Sequence, residues 1–373
     1  MINLTAKIKQ MTLEQGKRIL VTSDIHGYLS YFKKILEKAC FSDNDILFIV
    51  GDMIEKGPEN LKTLRYIMEL SSQNGNVIPL IGNVDAYRLK LIYGLSEENV
   101  CGFYDYILNL RKWVGTSFYE ELAAECGYKI NKPEDILISK QAVLTHFEKE
   151  FNFLAGLPTI IETQNYIFVH GGLREKQVLN NSDKGVLELT KFDAFAEKTP
   201  YRFDKYVITG HWPVVLYGSK IPQMNPIINC DKKIISIDGG CGVKKDGQLN
   251  LLIIPDINCS VEEISYVSYD EIPTAYALEN QSPSTDSVYI SWLSREIRIL
   301  EKDKEFSHIE HIKSGRKLHI PNSYLRNDTE AFDYTDYILP VNKGDCLSVL
   351  SQNSKGYIVK KSGVIGWYYG ELS

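Results

Sequence analysis

The sequence predicts an α/β protein followed by a smaller all-β region, and three observations support this. Residues 17–275 alternate between short apolar runs and longer amphipathic segments. The stretch ENQSPSTDS at 279–287 is polar and rich in turn formers, which is typical of a linker. Beyond it the chain changes to short, alternating, tyrosine-rich segments that favour β-strands. We therefore expect a large domain over 1–280 and small β modules after it.

The first hundred residues follow a β-α-β-α-β pattern. The apolar runs in RILVTSD, DILFIVGD and NVIPLIGN predict buried strands, and YLSYFKKILEKACF and ENLKTLRYIMELSSQNG predict the helices between them. A further helix is predicted from about Asp85 to Leu95. This alternation predicts parallel strands joined by crossover helices.

The rest of the large domain divides into a helical and a strand-rich part. Residues 97–157 contain mainly helical periods and predict an insertion. After them come strand-like runs in YIFVHGG, YVITGHW, KIISIDGG, LNLLII and EISYVSY, with few helices between them. The later half of the domain should therefore be mostly sheet.

Composition excludes several classes of protein. The net charge of −6 argues against nucleic acid or an anionic membrane as a partner. No run of apolar residues is long enough to span a bilayer, and the N-terminal stretch has no apolar core typical of a signal peptide. The seven cysteines are scattered, without a C-x-x-C pair. We expect a reduced, cytoplasmic protein.

Six polar residues follow the apolar runs, and nearly all of them adjoin a glycine. They are Asp24, His26, Asp52, Asn83, His170 and His211. In an α/β sheet the carboxyl ends of the strands converge on one crevice, where ligands bind. A mixed set of carboxylates, an amide and imidazoles suits Mn²⁺, Fe²⁺ or Zn²⁺. Two such cations can clamp a phosphoryl group and activate a bridging water.

Each of these signals is weak by itself. A single D-x-H occurs often by chance, G-N and G-H are common in turns, and a buried histidine at a strand end is more often structural. The ordered series is informative, because each motif comes directly after a strand. Chance is a poor explanation for five such motifs in this order.

The motifs DIHG, GDMIEKG, GNVD, HGG and GHWP resemble those of the calcineurin-like metallophosphoesterases, in particular the phosphoprotein phosphatase branch. SIDGGCGVKKDGQLNLL is similar to the closing segment of bacterial phosphatases and dinucleoside-polyphosphate hydrolases of this branch. The resemblance covers about 17–270. It implies an α/β/β/α sandwich with two divalent cations, Mn²⁺ first and Fe or Zn as alternatives. The first cation would be held by Asp24, His26 and Asp52, and the second by Asp52, Asn83, His170 and His211.

The resemblance breaks at four positions. Where the family has the histidine of G-N-H-E, which protonates the leaving group, this chain has Val84. The partner of that histidine is Glu55 here, the phosphate-binding arginine is Lys56, and another family arginine is Ile81. A general acid contributes about 10²–10⁴ in rate, so its loss predicts a bias towards good leaving groups.

Other residues are candidates for the missing roles. Asp85, Glu55 and His146 are candidate acids, although His146 is equally suited to a structural role in the insertion. Lys56 and Arg174 are candidate phosphate contacts, with a solvated loop position as the alternative for Arg174. The expected catalytic set is therefore Asp52, Glu55, Lys56 and Asp85.

The C-terminal region shows a weak internal repeat. Residues 295–325 and 344–372 share a plan of strand, charged turn, strand, Ser-Gly turn and short strand. AFDYTDYILPV, KGD and GWYYGEL resemble an SH3-like barrel at 327–373, and a second candidate barrel covers 286–326. Tyr369 and Leu372 replace the usual Pro and Tyr of the peptide groove. The barrels would either bind protein or pack on the catalytic domain.

Together these features predict a metal-dependent phosphatase that attacks phosphorus with a metal-bridging hydroxide. The main interpretation is a relative of bacterial Ser/Thr protein phosphatases acting on phosphorylated protein. One alternative is hydrolysis of dinucleoside polyphosphates or another small phosphate ester or anhydride. A second alternative is a non-catalytic module that senses phosphorylated partners.

Overall fold

The computed structural model describes residues 4–373, and the chain divides into two compact units. Unit 1 comprises the chain up to Pro213 together with Pro226–Tyr269, and unit 2 comprises Val214–Asn225 and Asp270–Ser373. The chain thus leaves unit 1 after Pro213, returns at Pro226 and leaves again after Tyr269. The linker predicted at 279–287 lies within unit 2.

The described strands of unit 1 form two mixed sheets. In chain order they are β1 (Ile8–Gln10), β2 (Ile19–Thr22), β3 (Ile46–Val50), β4 (Val77–Leu80), β5 (Ile160–Glu162), β6 (Tyr166–Val169), β7 (Tyr206–Thr209), β8 (Ile227–Asn229), β9 (Ile234–Ser236), β10 (Leu249–Ile254) and β11 (Ser265–Tyr269). Sheet A has the order β11-β10-β2-β3-β4, and sheet B the order β1-β5-β6-β7-β9-β8. The neighbours β2, β3 and β4 are parallel, as are β6, β7 and β9.

The two sheets pack face to face around an apolar core. Phe48 of β3 stacks on Phe168 of β6 with ring centroids 3.8 Å apart and planes 11° from parallel. Val21, Ile208 and Ile235 belong to the same buried cluster. Because β2 and β3 are buried on both faces, they appear in the sequence as continuous apolar runs rather than alternating ones.

Helices cover the outer faces of both sheets. They are α1 (Leu29–Lys38), α2 (Asn60–Gln73), α3 (Asn83–Tyr93), α4 (Val100–Val114), α5 (Phe118–Glu125), α6 (Pro133–His146), α7 (Glu148–Gly156), α8 (Val186–Thr190) and α9 (Phe195–Lys198). α1 and α2 contact strands of sheet A, and α4 to α7, which lie in the predicted insertion, pack on one another and on α2 and α3. On the other side, α8 and α9 contribute to the apolar cluster of sheet B, and α8 also packs on α3. The α/β/β/α sandwich expected from the sequence is therefore confirmed.

Unit 2 consists of small antiparallel sheets. Its strands are β12 (Thr274–Tyr276), β13 (Tyr289–Ile290), β14 (Ile297–Lys302), β15 (Phe306–His311), β16 (Lys317–Pro321), β17 (Tyr334–Thr335), β18 (Cys346–Asn353), β19 (Gly356–Lys361) and β20 (Val364–Tyr368). Each predicted repeat contains a three-stranded meander, β14-β15-β16 or β18-β19-β20. In both, a left-handed glycine precedes the third strand, Gly315 (φ +68°) and Gly363 (φ +77°). This architecture is consistent with SH3-like barrels.

None of the helices found between residues 4 and 373 combines the length and apolarity that crossing a bilayer requires.

Candidate active site

The six polar residues singled out in the sequence lie at the carboxyl ends of parallel strands. Asp24 and His26 follow β2, Asp52 follows β3, and Asn83 is the first residue of α3 after β4. His170 follows β6 and His211 follows β7. Sheet A thus supplies four of these side chains and sheet B supplies two. All six meet at one edge of the sandwich, as parallel strands in packed sheets require.

Much of this edge has an unusual backbone conformation. Six residues other than glycine adopt a positive φ of 50–70°: Asp24, His26, Asp52, Glu55, Lys56 and His211. This region costs about 1–2 kcal/mol for a residue with a Cβ. Such strain persists where the surrounding fold over-determines it, and it concentrates at functional sites.

Asp24, His26 and Asp52 form the first cluster, and all three are buried. Nε2 of His26 lies 3.8 Å from Oδ1 of Asp24 and 3.7 Å from Oδ2 of Asp52. The other ring nitrogen, Nδ1, faces the carbonyl oxygen of Ile54 at 3.4 Å. His26 therefore presents Nε2 to the two carboxylates.

Asn83, His170 and His211 form the second cluster. Oδ1 of Asn83 lies 2.9 Å from Nε2 of His170 and 2.8 Å from Nδ1 of His211. Nε2 of His170 is also 3.4 Å from Oδ1 of Asp52, which connects the two clusters. Ligand atoms of Asp24, Asp52 and His170 all lie within 4.8 Å of one another. This spacing suits cations held between shared ligands.

Burial and mutual charge control the protonation of these groups. Burial and the Lys56 ammonium lower the pKa of His26 to about 3. Burial and the Asp52 charge raise the pKa of Asp24 to about 6. Burial opposes a charge on His170, but Asp52 and Asp24 outweigh it and raise the pKa of His170 to about 10. Burial also opposes a charge on Asp52. The imidazoles of His170 and His26 outweigh burial and keep the pKa of Asp52 well below its usual range.

The residues present fit divalent cations, because carboxylate, amide and imidazole donors converge at this edge and suit Mn²⁺, Fe²⁺ or Zn²⁺. Each histidine also has its second ring nitrogen against an oxygen outside the cluster, as metal-binding histidines usually do.

Comparison with protein families identifies the family to which this chain belongs. Residues 17–225, more than half of the chain, match the family described as Calcineurin-like phosphoesterase. The chain belongs to this family. Members of this family use divalent cations. The metallophosphoesterase resemblance expected from the motifs is thereby confirmed, whereas the phosphoprotein phosphatase branch is not.

Proteins that are similar in sequence to this chain have names that specify a substrate. The chain is 29% identical over 126 residues to a symmetrical bis(5'-nucleosyl)-tetraphosphatase of Buchnera aphidicola subsp. Schizaphis graminum, covering 34% of this chain and 44% of that protein. It is 37% identical over 76 residues to the enzyme of that name from Photorhabdus laumondii, covering 20% of this chain and 26% of that protein. The matches thus span less than half the length of these relatives. A crystal structure provisionally described as a diadenosine tetraphosphatase has 20% identity and a TM-score of 0.45, covering 70% of this chain and 98% of that one.

The segment Gly82–Asp85 joins β4 to α3 at the edge where the two clusters lie. Gly82 is required by a close approach, because a Cβ there would lie 2.1 Å from the backbone nitrogen of Asp52. Val84 donates its N–H to Oδ1 of Asp52 at 2.8 Å, and its apolar side chain is buried. The position of the family histidine therefore offers no proton donor from a side chain.

Asp85, a predicted catalytic residue, is engaged by the backbone. Its carboxylate accepts from the N–H groups of Gly82 and Asp52 at 2.9 Å, Met53 at 3.0 Å and Ile54 at 3.3 Å. Burial and the Asp52 charge raise the pKa of Asp85 to about 7, against the effect of these donors. The contacts cap α3 and support the turn that carries Asp52. A catalytic role for Asp85 stays a prediction.

Glu55, the other predicted acid, faces the helical insertion. Oε1 lies 3.5 Å from Nε of Arg88, and Oε2 accepts from the N–H of Phe118 at 3.2 Å. The Arg88 guanidinium in turn lies 4.1 Å from the ring centroid of Tyr106. Glu55 is thus part of a buried ion pair, and its role in catalysis stays a prediction.

The predicted phosphate contacts differ in their surroundings. Nζ of Lys56 lies 3.3 Å from Nε2 of His26, so its charge is at the cluster. Arg174 donates from Nε to the carbonyl of Glu188 and from Nη2 to the carbonyl of Lys191, both at 2.9 Å. These bonds connect Arg174 to the C-terminal end of α8, and its contact with phosphate stays a prediction. The exposed His146 faces Glu125 at 3.4 Å.

Two further residues at the site were not singled out from the sequence. Oδ1 of Asp193 lies 2.8 Å from Nε2 of His211, but its surroundings in the sequence carry no strand-end signal. Asp238 is buried after β9, and burial together with the Asp24 charge raises its pKa well above the usual value. Asp238 precedes two glycines after an apolar run, so the pattern that identified the other residues also applies to it.

Proposed function

We propose that this protein is a metal-dependent phosphoesterase that hydrolyses phosphoanhydride bonds of a dinucleoside polyphosphate. Water adds to phosphorus, and a nucleotide phosphate leaves as the anion. The main interpretation from the sequence, a Ser/Thr protein phosphatase, is less well supported, because the relatives described above are named bis(5'-nucleosyl)-tetraphosphatases.

The replacement of the family's acid by Val84 carries this proposal. Both neighbouring carboxyl groups that could substitute are already engaged, Asp85 by four backbone N–H groups and Glu55 by Arg88 and Phe118. The alkoxide of phosphoserine is a poor leaving group that needs a proton. A phosphate leaving group is far less basic and departs without one. Loss of an acid worth about 10²–10⁴ in rate, or roughly 3–5 kcal/mol, therefore weighs against phosphoserine.

The proposal assigns roles to the residues of the two clusters. Asp24, His26 and Asp52 would hold a first divalent cation, and Asn83, His170 and His211 a second, with Asp52 shared. When bound, such cations activate water and neutralise charge on the phosphoryl oxygens. Lys56 adds a positive charge beside His26, and it holds phosphate as a point charge rather than as a two-pronged arginine fork.

The test compares leaving groups at one Mn²⁺ concentration. Diadenosine tetraphosphate, p-nitrophenyl phosphate and a phosphoserine peptide are assayed with the same protein. We expect kcat/KM for the anhydride to exceed that for the peptide by about 10²–10⁴, with p-nitrophenyl phosphate nearer the anhydride. Similar kcat/KM values for the anhydride and the peptide would contradict the proposal.

The Asp52→Asn variant provides the control, since it removes the carboxylate that joins the two clusters. We expect it to abolish hydrolysis of every substrate. If the metal-loaded wild type has no activity that Asp52→Asn removes, the non-catalytic, phosphate-sensing alternative replaces the enzymatic one.

A further inference from the structure

One short segment supports both histidines of the second cluster. The N–H groups of Gly171 and Gly172, directly after His170, donate to the carbonyl of Leu189 at 3.0 and 3.1 Å. Four residues further on, the carboxylate of Asp193 reaches His211. We call residues 189–195 the support segment. It contacts the residues directly after β6, next to His170, and it contacts His211 after β7.

The support segment is held in place at both ends. A Cβ on Gly172 would lie 2.5 Å from the ring of Phe195, so the ring packs directly on this glycine. Phe195 is buried, and the preceding Ala194 is buried in a left-handed conformation (φ +56°). This backbone conformation is uncommon for alanine and sets the direction of the chain next to Asp193. At the other end, Arg174 binds the carbonyls of Glu188 and Lys191 and stacks on Phe192.

The contact between Asp193 and His211 determines which nitrogen of His211 carries the proton. An ionised carboxylate only accepts hydrogen bonds, so at 2.8 Å the proton must be on Nε2 of His211. In a neutral ring with its proton on Nε2, the lone pair is on Nδ1, which faces Oδ1 of Asn83 at 2.8 Å.

We propose that Asp193 is a positioning residue that fixes the tautomer and ring orientation of His211, so that Nδ1 is available to the second cation. This inference rests on the proposed assignment of His211 as a metal ligand. His26 and His170 have the same arrangement, but there the outer acceptors are the backbone carbonyls of Ile54 and Val50. Among the three histidines, only His211 has a side-chain acceptor that substitution can remove.

The first test uses protein stripped of metal by chelation. Nitrogen-15 NMR of labelled histidine distinguishes the two neutral tautomers, and His211→Asn identifies the His211 signals. We expect the wild type to have Nε2 protonated and Asp193→Ala to have a mixture of tautomers. Asp193→Asn keeps an acceptor oxygen without charge and should restore most of the wild-type tautomer.

The second test measures Mn²⁺ binding by calorimetry. Outer partners of metal-binding histidines contribute about 10–100-fold in metal affinity. Because Asp193 is about half exposed, we expect the lower end of that range, a loss of about tenfold at one of two sites. The control is Asp204→Ala, which removes a largely exposed aspartate 3.4 Å from Lys176. Thermal unfolding of each variant checks that the fold is intact.

The outcomes separate this inference from the proposed function. An unchanged His211 tautomer together with unchanged Mn²⁺ affinity in Asp193→Ala would overturn the inference. If the protein binds two cations but does not hydrolyse the anhydride, the proposed function is contradicted. The inference about Asp193 is then unaffected, because the tautomer comparison does not depend on activity. A lower Mn²⁺ affinity at one site in Asp193→Ala, recovered in part by Asp193→Asn, would support a positioning role. A merely structural contact does not predict this recovery.

Discussion

At the scale of single residues, the site combines a few charged groups whose protonation depends on their neighbours. His170 is completely buried, and its ring nitrogen Nε2 lies against Asp52. Nδ1 is 2.7 Å from the carbonyl oxygen of Val50. The pKa of His170, raised to about 10, means that this ring carries two protons at neutral pH in protein stripped of metal. A cation that binds Nε2 must displace one of them.

We therefore predict that Mn²⁺ binding to chelator-treated protein releases about one proton from His170. Its apparent affinity should rise about tenfold per pH unit between about pH 7 and pH 9, and it should level off near the pKa of about 10. Calorimetry in buffers with different ionisation enthalpies measures the proton count. His146→Gln, which changes an exposed histidine, should leave the slope unchanged. An affinity that does not vary with pH would contradict this assignment.

At the scale of elements, a buried ion pair connects the loop after β3 to α3. Glu55 and Arg88 have side chains only 1% and 6% exposed, and the pair lies beside the insertion helix α4 through Tyr106. An unpaired charge at such a position is far more costly than the absence of both charges. Each charge therefore requires the other, and loss of one partner destabilises the loop that also carries Asp52.

We predict that Arg88→Leu destabilises the protein by about 3–5 kcal/mol, because it leaves the Glu55 carboxylate buried without its opposite charge. The double variant Glu55→Gln/Arg88→Leu should recover a large part of this loss. Urea unfolding at constant pH measures both. Lys34→Gln, which breaks an exposed pair with Glu37, should change stability by less than about 1 kcal/mol. Equal losses in the single and double variants would show that charge is not the cause.

At the scale of the whole molecule, the division into units does not follow the order of the chain. Val214–Asn225 belongs to unit 2 although unit 1 continues after it. Within unit 2, the N–H of Tyr289 donates to Ser219, the N–H of Ile365 to Pro222, and the N–H of Met224 to Gly363, over 2.8–3.0 Å. A chain cut after Tyr269 therefore keeps Val214–Asn225 but loses the residues of unit 2 that hydrogen-bond to it.

We predict that a chain ending at Tyr269 is cut by protease within Val214–Asn225, while the full chain resists cleavage there. The truncated chain lacks the partners of Ser219, Pro222 and Met224, so the backbone of the segment becomes accessible. Limited proteolysis with mass spectrometry locates the cuts. Equal resistance of both chains would indicate that this segment is held independently of the C-terminal residues.

The sequence alone predicted β2 to β4, β6, β7 and β9 to β11, the crossover helices between the first strands and the six polar residues at strand ends, because apolar runs and adjoining glycines are local signals of where buried strands end. It did not predict β1, β5 and β8, which have three residues each. The family resemblance also predicted that Val84 stands in the position of the family's acid. The sequence could not indicate that Glu55 pairs with Arg88, that Asp85 binds four backbone N–H groups, or that Asp193 meets His211. Those contacts join residues that are distant in the chain or on different loops, and only the packing of the two sheets and their helices brings them together.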